Sequence, residues 1–90
     1  MQKSDVIAIL SSMGWKQDKY GHFKTPSGLT RAKLQAMSVR IERKITLVHE
    51  YTGKQSFWSN LASDYYCNLR IQDGRLVVQN KILKVQHENL

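Results

Sequence analysis

The dipeptide Asp73-Gly74, set between two short apolar-rich runs, restricts this chain more than any other local feature. Both residues tolerate a positive φ, which a type I′ turn needs at its two central positions, and that turn matches the twist of the strands it joins. Leu69-Arg70-Ile71-Gln72 and Arg75-Leu76-Val77-Val78 therefore read as antiparallel arms. Pairing Gln72 with Arg75 sets Ile71 opposite Leu76 and Leu69 opposite Val78, so four apolar side chains share one face. Ile82, Leu83 and Val85 extend this packing before a loose polar tail.

The other end of the chain has helical spacing. Val6, Ile9, Leu10 and Met13 recur on one side, Ser4 is placed to cap, Asp5 complements the dipole in the first turn, and Gly14 suits a left-handed stop. Trp15 to Lys24 then reads as a second hairpin, with Asp18-Lys19-Tyr20-Gly21 as a turn. Asp18 would face His22, Gln17 would face Phe23, and Lys16 would face Lys24. Thr25-Pro26-Ser27-Gly28 is a loop.

Leu29 to Val48 fits two patterns. As a helix, Leu34, Met37, Ile41, Ile45 and Val48 fall within about 80° of one another at 100° per residue. As a strand, Met37 to Glu42 alternates and Ile45 and Leu47 keep the phase, with a bulge near Gln35 or Ala36 to restore Leu34. Arg31 and Lys33 would oppose the dipole at a helix start, which favours one long bulged strand. Glu50 to Gln55 reads as a turn, and Ser59 to Asp64 as a brief helical turn. The expected class is α+β: a short N-terminal helix packed on a small, mostly antiparallel sheet built from hairpins, as one domain over residues 1–90.

A lone cysteine, Cys67, excludes an internal disulfide, and beside Tyr66 it reads as a buried small hydrophobe. No apolar run approaches the roughly 20 residues of a membrane span. The five-residue apolar stretch Val6–Leu10 lacks a cleavage-like site behind it. A cytoplasmic protein with no membrane partner is expected.

Net charge is +7, and its placement is uneven. Between Lys16 and Lys44 lie eight basic residues and two acidic ones, a net +6; from Thr46 onward five basic residues meet four acidic ones. Such clustering suits a polyanion. The candidate nucleic-acid-binding residues are Lys16, Lys19, Tyr20, His22, Lys24, Arg31, Lys33, Arg40, Arg43 and Lys44, with the hairpin tip offering a ring for base stacking. As a strand, Arg40 and Lys44 share a face. The pattern does not separate DNA from RNA. The competing reading is a small adaptor or inhibitor that docks an acidic partner or a nucleic-acid-binding protein, using Phe57, Trp58 and Tyr65. His22, His49 and His87 have no second ligand at metal-type spacing, and no acid pair or nucleophile–base motif stands out. A non-enzymatic protein without a cofactor is expected, and an exposed sheet edge would allow a homodimer.

Overall fold

The computed structural model describes residues 1–84. Its first element is α1 (Lys3–Ser12), whose Val6 and Leu10 are fully buried. The N-cap is Gln2 rather than Ser4. The Asp5 carboxylate accepts the Gln2 backbone N–H at 2.8 Å, which closes the first turn two residues earlier. The chain leaves the helix through Gly14, whose φ of +90° carries no Cβ penalty.

Five strands follow in an antiparallel sheet ordered as in the chain: β1 (Lys16–Gln17), β2 (Phe23–Lys24), β3 (Thr30–Leu34), β4 (Ser38–His49) and β5 (Gly53–Tyr65). A 3-10 turn (Tyr66–Asn68) leads to a second antiparallel sheet of β6 (Arg70–Gln72), β7 (Arg75–Val78) and β8 (Lys81–Ile82). The class is α+β, with two sheets in place of the single sheet expected.

The Asp73-Gly74 hairpin has the expected register, Ile71 opposite Leu76 and Gln72 opposite Arg75, with φ of +53° and +75° at the turn. Its faces do not separate as expected. Ile71 is half exposed while Val77, on the opposite side from Leu76 and Val78, is buried, so β7 is covered on both faces. A second two-residue turn, Gln79-Asn80, joins β7 to β8 with φ of +49° and +62°. It lacks the glycine by which such turns are read from sequence. Leu83 is buried as expected; Val85 and the polar tail lie outside the described residues.

The central segment is neither a helix nor one bulged strand. It is two strands, β3 and β4, folded back on each other with Ala32 opposite Ile41 and Leu34 opposite Val39. The proposed bulge at Gln35 is the hairpin turn, closed by Gln35 N–H to Ser38 C=O at 2.9 Å and anchored by the Tyr66 hydroxyl, which donates to the Gln35 carbonyl. Reversing direction there brings Leu34 beside Val39, which a single strand could not do. The bulge lies elsewhere: Ile41 faces Ala62 and Glu42 faces Asn60, leaving Leu61 as the extra residue on β5. Ser59 to Asp64 is therefore strand, not a helical turn, because its backbone pairs with β4.

One row across the first sheet, Phe23, Ala32, Ile41 and Ala62, is buried throughout. With Trp15, Val39, Tyr66, Leu76 and the helix residues it forms the core. Beyond Lys44, whose N–H still bonds to the Leu29 carbonyl at 2.8 Å, β4 pairs among the described residues with β5 alone. The two strands continue as an arm on which Leu47, Val48, Tyr51 and Phe57 are exposed.

Candidate functional site

Side chains alternate across a strand, so the row next to the buried one lies on the opposite face of the sheet. That row is Lys16, Lys24, Arg31, Glu42 and Asn60, aligned strand by strand. Lys33 faces Arg40 one step along, and Lys44 faces Trp58 one step the other way. Six of the ten expected basic-site residues thus share one face: Lys16, Lys24, Arg31, Lys33, Arg40 and Lys44. Lysines 16 and 24 do face each other, and the contact is tolerated because the Lys24 ammonium lies 3.5 Å from the Asp18 carboxylate.

Trp58 and Glu42 organise this face. The Arg31 guanidinium stacks on the Trp58 ring at 4.2 Å, and Lys24 Nζ stands 5.8 Å from the same ring. Arg31 also donates to Glu42 Oε1 from Nε at 3.0 Å and from the terminal nitrogen at 2.6 Å, while Arg40 Nε lies 3.5 Å from Glu42 Oε2. Each carboxylate oxygen therefore serves a different arginine, and Glu42 is buried at 6% exposure. Among the described residues no acidic group lies within ion-pair reach of Lys16, Lys33 or Lys44. Three ammonium groups on the face are free for another anion.

The remaining candidates divide. Lys19 and Tyr20 occupy the exposed tip of the first hairpin, with Lys19 Nζ 5.1 Å from the Tyr20 ring. His22 is half-buried at the base of that turn, and its Nδ1 has no partner among the described residues. Arg43 falls on the core side, opposite Thr30, where it lines a cleft with Leu61 and Lys81. Of the alternative set, Phe57 faces away from Trp58 beside Ile45, and Tyr65 is exposed at the far end of β5. Cys67 is exposed in the 3-10 turn rather than buried, since that turn interrupts the strand expected to carry it inward. From sequence Trp58 reads as a protein-docking residue with Phe57 and Tyr65, not as part of the basic surface. What moves it to the basic face is the extra residue at Leu61, which reverses the phase of β5.

The first hairpin depends on Asp18. Its Oδ1 accepts the Tyr20 and His22 backbone N–H groups at 2.9 and 3.0 Å. Burial alone would raise the Asp18 carboxyl; the His22 and Tyr20 amides and the Lys24 ammonium outweigh it and hold the group below its ordinary value. Such a carboxyl contributes stability that is complete above the unfolded value of about 3.9 and is lost as pH falls through the folded one. Asp18→Asn keeps an acceptor and removes the charge. It should lower the melting temperature at pH 7 and make the acid loss of stability below about pH 4 shallower. An acid limb identical to that of the wild type would show that Asp18 contributes nothing there.

Comparison with protein-family models, curated proteins and solved structures finds no match to this chain. Among the described residues no helix is long and apolar enough to cross a membrane, and no cluster of three or more His, Cys, Asp or Glu could hold a metal ion.

Proposed function

We propose that this chain is a small non-enzymatic nucleic-acid-binding protein, with the outer face of the five-stranded sheet as its binding surface. The observation that carries this reading is the assembly of six cations on one sheet face that also carries a half-buried tryptophan, with Asp18 and Glu42 pairing three of them. The free ammonium groups would take phosphates, with release of counterions. Trp58 and the planar Arg31 beside it form a platform on which an unpaired base could stack. Because β-sheet faces are broad and shallow, single strands fit this arrangement better than a duplex. Lys19 and Tyr20, exposed at the hairpin tip, would add one further cation and ring.

The test is fluorescence anisotropy with mixed-sequence single-stranded and duplex oligonucleotides across a salt series. Binding should weaken steeply with salt and favour single strands. Trp58→Ala should weaken single-strand binding by about 1–3 kcal/mol, the usual contribution of one stacked base, and Trp58→Phe should retain much of it. Absence of binding at low salt would refute the reading.

A further inference from the structure

The open edge of β5 has a self-complementary pattern. The Lys44 N–H bonds toward β3, at the Leu29 carbonyl, so even-numbered residues of β4 present their backbone groups to β3 and odd-numbered ones to β5. Through the observed register, Phe57 and Ser59 bond to β4, whereas Lys54, Ser56, Trp58 and Asn60 point their N–H and C=O groups outward. Further along the strand the edge is closed: the Ser63 N–H donates to Gln79 Oε1, and Lys81 Nζ donates to the Leu61 carbonyl. For the outward backbone groups of Lys54, Ser56, Trp58 and Asn60 no hydrogen-bond partner is present among the described residues.

This stretch is lightly protected for an edge, with one lysine at its start and the Leu61 bulge just past its end. It contains no proline, its one charge is Lys54, and among the described residues no loop bonds to it. We infer that it pairs antiparallel with β5 of a second copy of this chain, around a two-fold axis at Phe57. In that register Ser56 faces Trp58 of the second copy and Lys54 faces its Asn60. All eight outward backbone groups of each copy are then satisfied, and no two like charges oppose each other. Phe57 meets its symmetry mate in a close, non-hydrogen-bonded pair. Centring on Ser56 or Trp58 instead would leave outward groups at one end without a partner. The occupant is thus a second copy rather than an arbitrary strand, because the edge complements itself.

The two-fold axis stands perpendicular to the sheet, so both outer faces point the same way. The two Trp58 side chains become diagonal neighbours about 7–8 Å apart, and the basic faces join into one surface across ten strands. Dimerisation itself does not depend on nucleic acid, and is measured without it.

Sedimentation equilibrium of the full chain in high salt, over micromolar to near-millimolar concentration, should show a monomer–dimer transition. Ser56→Pro removes an outward N–H and the hydroxyl bond to Thr46 at 3.1 Å but no backbone bond between β4 and β5, so it should give a monomer with an unchanged circular dichroism spectrum. Phe57→Glu places two carboxylates across the axis and should do the same. In a Cys67→Ser background, Phe57→Cys should form an interchain disulfide on mild oxidation and Ser59→Cys should not. A wild type that stays monomeric throughout, a dimer that survives both edge variants, or equal cross-linking at positions 57 and 59 would overturn the proposal.

Discussion

Glu42→Gln is expected to destabilise the fold by about 2–3 kcal/mol, below the 3–5 kcal/mol of a fully buried pair because the arginines reach solvent. The Glu42 side chain is 8% exposed, that of Arg31 18% and that of Arg40 48%. Removing the charge leaves Arg31 held against Trp58 with a neutral amide that can satisfy only part of its donor set. Against a total of roughly 5–13 kcal/mol for a chain of this length, the loss is large. It corresponds to a fall in melting temperature of about 10–20 °C. Thermal unfolding followed by circular dichroism measures it directly. A loss below about 0.5 kcal/mol would place the Arg31–Glu42–Arg40 group among ordinary surface ion pairs.

Replacing Lys16, Lys33 and Lys44 together by glutamine should reduce the slope of log affinity against log salt by about 2–3. Among the described residues these are the three cations of the face without an acidic neighbour, so their charge is available to phosphate. Lys24, Arg31 and Arg40 are already engaged with carboxylates, and neutralising them would mix binding with stability. The matched control is Lys3, Arg75 and Lys84, which changes net charge equally while sparing that face. It should alter the slope far less. Equal effects from the two triple variants would mean that binding follows net charge alone and that the face is not its site.

How much of this was legible beforehand differs by element. The Asp73-Gly74 and Asp18–Gly21 turns were readable because turn chemistry is local: a positive φ, or a carboxylate accepting amides two and four residues on, needs no distant partner. The register across both hairpins followed from those turns. Gln79-Asn80 escaped notice because its positive φ values are held by the pairing of β7 with β8 rather than favoured by glycine. The break between β3 and β4 escaped for a related reason. Nothing at Gln35–Met37 has strong turn chemistry, and part of what stabilises the reversal is the hydroxyl of Tyr66, thirty-one residues away.

By itself, then, the sequence determined the class, the N-terminal helix, two turns with their registers, and a concentration of positive charge between Lys16 and Lys44. Those are consequences of local backbone preference and of composition, which do not depend on what lies across the sheet. Alternation alone put Arg40 and Lys44 on one face, but only the tertiary structure decided which charges of different strands join them. One extra residue at Leu61 reverses the alternation of β5, placing Trp58 among the cations and Phe57 on the other side. Pairing of β3 with β4 brings Arg31 onto Glu42, which Arg40 already neighbours along β4, and sets Arg43 opposite Thr30 on the core side. A period of two tells which neighbours alternate, but the phase of each strand is set by its partner, and the partner is not written in the strand.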